Sequence, residues 1–112
     1  MQNNNPRVEI VPGITRQTTT HGRTMFQQLA ELAAGSRMPE HRHPQEQIIY
    51  IVRGRLRLLS DGKAVEMETG DAFYLGTDVP HGIETIEDSL VLDTFSPPRD
   101  DYLARDAAMM SR

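Results

Sequence analysis

Short runs of strand-forming residues, cut about every ten residues by turn signals, restrict this chain to a meander of strands. The runs are VEIV at 8–11, QIIYIV at 47–52, RLRLL at 55–59, AVEM at 64–67, AFYL at 72–75 and LVLDTF at 90–95. Between them stand Pro12-Gly13, His21-Gly22, Gly35-Ser36, Arg53-Gly54, Asp61-Gly62, Gly70-Asp71 and Asp78 to Pro80, residue types that favour turns through special backbone angles or local hydrogen bonds. An all-β sandwich or barrel is therefore expected. Gln27 to Ala34, QQLAELAA, disagrees: its residues are strong helix formers. A helix there, ending at Gly35, would stand isolated among strands, so tertiary context is expected to override propensity and make it a strand. After Ser96-Pro97-Pro98 the string DDYLARDAAMM, acidic in its first turn, predicts a short terminal helix, read as a packing or fraying tail. Residues 1–6 are expected to form a flexible polar arm and 7–112 a single domain.

The chain has 112 residues, enough for one core but not for a second catalytic domain. It has no cysteine, which removes disulfides, thiolate metal ligands, iron–sulfur clusters and a cysteine nucleophile. Twelve Lys and Arg against 16 Asp and Glu leave a formal charge of −4, so no nucleic-acid partner is expected. The start, MQNNNPRVEI, lacks the basic patch and apolar run of a secretory signal, and no stretch approaches the roughly 20 apolar residues of a membrane span. A soluble cytoplasmic protein without a membrane partner is the expectation.

Chemistry concentrates in Gly35 to Gly54, GSRMPEHRHPQEQIIYIVRG. Alternate residues of a strand share a face, so His41, His43 and Gln47, all odd-numbered, converge if the strand is regular or Pro44 conserves parity, and Glu46 points away. A later strand can bring His81, after the turn GTDVP, against the same patch. Imidazoles with an amide oxygen suit a divalent first-row ion, and Ni, Zn, Mn, Fe and Cu all remain open. A neutral Gln47 in place of a carboxylate keeps one more positive charge at the site, which favours an acidic substrate. His21 reads as an exposed turn residue, and Tyr50 and Tyr74 as packing residues. Arg55 and Arg57 against Glu66 and Glu68 read as one solvated sheet face with cross-strand pairing.

These residues resemble the first cupin motif, G-x5-H-x-H-x3-E-x6-G: Gly35, His41, His43 and Gly54 fall in register and Gln47 takes the glutamate position. The second motif is matched at Pro80 and His81, without the usual intervening residues between proline and histidine. HRHPQEQ, the later VPHG and VLDTFSPPRDDYL are similar, more narrowly, to the KdgF family of pectin-degradation cupins. The resemblance implies a cupin double-stranded β-helix, or jelly-roll barrel, and a homodimer.

It also implies an activity, the conversion of 4,5-unsaturated uronates from pectin or alginate breakdown into linear 5-keto-4-deoxyuronates, and site residues Asp93, Phe95 and Arg99. Val91, Asp93 and Phe95 alternate, which predicts one face turned to the interior. Asp93 is then the candidate proton carrier and Arg99 a clamp on the substrate carboxylate, with Phe95 an apolar wall against the sugar. A metal-dependent dioxygenase and a non-catalytic ligand-binding cupin are the competing readings.

Overall fold

The computed structural model describes residues 3–111. Eight strands and one helix follow in order: β1 Arg7–Val11, β2 Ile14–His21, β3 Phe26–Leu32, β4 Arg37–His41, β5 Glu46–Ser60, β6 Lys63–Glu68, β7 Ala72–Leu75, β8 His81–Ser96 and α1 Asp100–Met110. All pairings are antiparallel, in the order β1-β2-β3-β8-β5-β6, with β4 on β8 and β7 on β5.

Two long strands build the barrel by serving both of its layers. The first half of β5 lies between β7 and the second half of β8, while its second half lies between β6 and the first half of β8. β8 likewise carries β3 on its second half and β4 on its first. The switch occurs where the β5–β8 register shifts, between Ile51 and Leu56. Gly54 sits there at φ +107°, and a Cβ on it would fall 2.2 Å from Ser89 Oγ and 2.6 Å from Asp88 O. That approach needs a residue without a side chain, which accounts for the glycine closing the first motif.

Between the layers Ile14, Ala30, Leu32, Ile49, Ile51, Leu56, Leu58, Met67, Leu75 and Val91 form the core. Each Leu or Ile fully removed from water there contributes about 1.5–3 kcal/mol. The helix-prone segment is strand β3: Phe26, Gln28, Ala30 and Leu32 alternate inward, and the backbone pairs with β2 on one side and β8 on the other. Propensity of a few tenths of a kcal/mol per residue yields to this two-sided ladder and to burial.

Helix α1 is anchored to the barrel. Arg16, 1% exposed, donates to Asp106 Oδ1 at 3.0 Å, to the Tyr102 carbonyl at 3.2 Å and to Thr18 Oγ1 at 3.3 Å, and Thr18 Oγ1 donates to Asp106 Oδ2 at 2.6 Å. This replaces the alternative of a fraying tail: a buried ion pair is tolerated only where its remaining polar atoms find partners, and here they do. Of the expected arm at 1–6, Met1 and Gln2 lie outside the described residues, while the Asn3 and Asn5 side chains both donate to the Thr18 carbonyl. Among the described residues no helix is long and apolar enough to cross a membrane.

Candidate metal centre

His41 closes β4 and lies directly opposite His81, the first residue of β8. His43 stands in the bend that follows, and from it the inward alternation runs through Gln45, Gln47, Ile49 and Ile51. The parity expected from sequence therefore holds from His43 onward, whereas His41 arrives from a separate strand and meets His81 as its neighbour on the adjoining strand. The nitrogen ligand atoms of His41, His43 and His81 lie within 4.8 Å of one another. Glu46 is exposed, as its parity implies, and so is His21, at the end of β2.

Each of these imidazoles is held in one tautomer. His41 Nδ1 meets the Pro39 carbonyl at 2.9 Å, His43 Nδ1 the Gln45 carbonyl at 3.0 Å and His81 Nδ1 the Val79 carbonyl at 2.9 Å. A carbonyl only accepts, so each Nδ1 carries the hydrogen and each Nε2 is left with a lone pair. Burial lowers the His43 pKa, with the Arg99 charge acting in the same direction, and burial pushes His81 down to about 4. Neutral rings are the form that binds metal.

The donor set fits a cation. His43 Nε2 lies 3.1 Å from Gln47 Oε1, and with Nδ1 protonated both atoms are acceptors. Two lone pairs held face to face repel each other unless a positive charge lies against both. His41, His43, Gln47 and His81 could thus hold a divalent ion with three nitrogens and one amide oxygen.

Behind the ligands, Asp93 is 7% exposed and its carboxylate is bracketed by two amides: Gln47 Nε2 donates to Oδ1 at 2.9 Å and Gln28 Nε2 to Oδ2 at 3.0 Å. Burial raises its pKa, against the opposing pull of those two donors and of Arg99. Arg99 is buried, not solvated. Its Nε and Nη2 donate to the two carboxylate oxygens of Asp101 at 3.1 and 3.0 Å, and its guanidinium lies 3.8 Å from the Tyr102 ring centroid and 4.9 Å from that of Phe95. The fork is thus half used, which leaves the Nη1 side for another anion.

Phe95 is 2% exposed, with its edge region against Phe26 and His43, so the expected wall is shared with the guanidinium above it. These side chains surround one cavity of about 500 Å³, counted with its opening to solvent.

Sequence reasoning passed over Gln28, Gln45 and Tyr102. Gln28 was hidden in the helix-like run, although its register partner is Asp93. Gln45 continues the odd-numbered parity of the motif and donates to the Pro98 carbonyl at 3.2 Å, a signal that could have found it. Tyr102 lines the cavity from α1, and nothing local in the sequence marks it. Tyr50 and Tyr74, expected to pack, stand 41% and 60% exposed on the outer face beside Ile48 and Val52, because even-numbered positions in the first half of β5, before its register shift, and their partner on β7 face away from the core. Arg55 and Arg57 do lie opposite Glu68 and Glu66.

Comparison with known proteins agrees with this architecture. The cupin domain family matches residues 28–95. The pectin degradation protein KdgF of Dickeya dadantii strain 3937 is 31% identical over 100 residues, covering 88% of this chain and 91% of that protein. The structure of KdgF from a Halomonas species superposes with a TM-score of 0.84 at 31% identity, over 91% of this chain and 96% of that one. An RmlC-like cupin from Shewanella frigidimarina NCIMB 400 gives 0.83 at 25% identity, over 91% and 92%. The chain belongs to the cupin family and, within it, to the relatives of the pectin degradation protein KdgF.

Proposed function

We propose that this protein is a metal-dependent enzyme that opens 4,5-unsaturated uronate monosaccharides to linear 5-keto-4-deoxyuronates, a cytoplasmic step in the breakdown of pectin or alginate. The observation that carries the reading is a desolvated carboxyl, Asp93, joined through the Gln47 amide to His43, in a cavity that the clustered His41 and His81 also line. The similarity to proteins named for pectin degradation supports the substrate class.

The reaction is an isomerisation. The hydroxyl on the anomeric carbon loses its proton as the bond from that carbon to the ring oxygen breaks, forming the aldehyde. The electron pair passes to the ring oxygen as an enolate, and a proton added at carbon 4 completes the 5-keto product. A divalent ion held by His41, His43, Gln47 and His81 would supply a Lewis acid for the substrate carboxylate and the developing enolate oxygen. Asp93 carries the proton between oxygen and carbon; burial keeps its carboxyl ready to hold one, and the Gln28 and Gln47 amides keep it in place. Arg99 offers its Nη1 side to the substrate carboxylate while Asp101, Tyr102 and Phe95 hold the rest of the guanidinium.

Two copies are proposed to pair through the outer sheet face, where Ile48, Tyr50, Val52 and Tyr74 leave an exposed apolar stripe. Light scattering reads the mass in solution. The activity is tested with a lyase-generated unsaturated monomer, following the ultraviolet absorbance of its conjugated enol ether. The metal-loaded protein should accelerate the loss of absorbance, and a chelator should abolish the acceleration. Uncatalysed decay in the presence of tightly bound metal refutes the reading.

A further inference from the structure

An amide can present either end to a metal site, but only its oxygen has an electron pair to give, since the nitrogen's pair is delocalised into the carbonyl. The histidines do not impose the useful end on Gln47. Its oxygen faces a lone pair on His43 Nε2 at 3.1 Å, so in the metal-free protein that contact favours turning the amide over.

The opposite end decides the orientation. Gln47 Nε2 donates to Asp93 Oδ1 at 2.9 Å, and turning the amide would set its oxygen against a carboxylate oxygen. Asp93 is braced in the same way from β3, where Gln28, its register partner, donates to Oδ2 at 3.0 Å. Gln28 is 2% exposed, and its Oε1 is buried without a hydrogen-bond partner. A buried amide oxygen is left unpaired only where the alternative is worse, and here the alternative again places oxygen against carboxylate. The three side chains therefore form one ordered series from β3 through β8 to β5, and every member is inward-facing.

We propose that Gln28, acting through Asp93, is a positioning residue for the metal: it holds the carboxylate that aims the Gln47 oxygen at the three histidines, and so sets metal affinity without being a ligand. The inference rests on the metal-site reading above. It also explains why an amide rather than an acid occupies position 47. A glutamate there would put a second carboxylate within hydrogen-bonding distance of Asp93 at a buried position.

The test measures affinity of the full-length protein for Zn²⁺, by competition with a chromophoric chelator, and the visible d–d absorption of the Co²⁺ form. Outer partners of metal ligands typically change affinity about 10–100-fold. Gln28→Met should therefore weaken Zn²⁺ binding by about tenfold or more and shift the Co²⁺ spectrum toward that of Gln47→Ala. In the Gln47→Ala background the same substitution should change affinity by less than about twofold, because the group it acts through is gone. Gln28→Asn, which keeps an amide but shortens it by one methylene, serves where the methionine variant does not fold.

Equal fold losses in both backgrounds, or wild-type affinity in Gln28→Met, overturn the proposal while leaving the metal site standing. Failure of the wild-type protein to take up either ion removes the metal site and this inference together.

Discussion

The barrel interior has two regions built by the same strands, and they obey different rules. In one, Ile49, Ile51, Leu56 and Leu58 of β5 pack against Met67, Leu75 and Val91, with no polar side chain among them. In the other, Gln47 of the same β5 meets His81, Asp93 and Phe95 of β8, with His41, His43, Gln28 and Arg99 around them. Strand alternation, offset at the β5 register shift, points the strand residues of both regions inward without distinction. The aliphatic region is stabilised in proportion to area, so side chains of similar volume are largely interchangeable there. The polar region is stable only because particular atoms meet: carbonyls at three Nδ1 atoms, two amides at one carboxylate, and Asp101 at Arg99. A barrel can thus hold a reactive site where a core would otherwise be, provided most of its buried polar groups have a partner or await a cation; the Gln28 oxygen, left unpaired, is an exception.

The contrast can be broken most forcefully at Asp93. With metal saturating, Asp93→Ala is expected to lower the rate of enol-ether loss by about 10²–10⁴-fold, the usual worth of a positioned proton carrier. A variant within tenfold of wild type would remove the carboxyl from the chemistry.

Next in size, Ile49→Ala in the aliphatic region should cost about 2–5 kcal/mol in denaturant unfolding. Its Zn²⁺ affinity should stay within about twofold of wild type, and a large loss of affinity would show that the regions are mechanically coupled.

Arg99→Lys keeps the charge but loses the planar fork, so kcat/KM should fall by about ten- to a hundredfold, as expected for a charge-assisted hydrogen bond, mostly through KM. An unchanged KM would place the substrate carboxylate elsewhere.

The smallest effect is a titration. In the metal-free protein the His81 ring resonances should hold their neutral positions down through pH 5.5 and move near pH 4. Between about 6.5 and 4 the unfolded chain then binds a proton at this histidine that the folded chain does not. Its contribution to stability is therefore present above pH 6.5 and is lost as the pH falls toward 4. A midpoint near 6.5 would mean that the ring is hydrated in solution.

Legibility from sequence followed the range of the interactions concerned. His43 and Gln47 were readable because they lie on one alternating run, and the turns at Asp61-Gly62 and Gly70-Asp71 announce their own geometry. Asp93 and Arg99 were reached through a resemblance, since neither a strand aspartate nor an arginine after two prolines says by itself what it faces. Gln28 was out of reach because its meaning comes from a partner 65 residues away. Tyr102 depends on a helix whose position is set by Arg16 and Asp106, 90 residues apart.

By itself the amino-acid sequence determined the class of the fold, the places where the chain turns and the histidines that are candidates to hold a metal, because turn chemistry and the two-residue period act over a few neighbouring residues. Tertiary structure alone decided that 26–32 is a strand, which tautomer each imidazole holds and which end of Gln47 faces the cavity. Those outcomes depend on hydrogen-bond partners supplied by distant strands, and burial makes an unmet partner costly enough to overrule local preference.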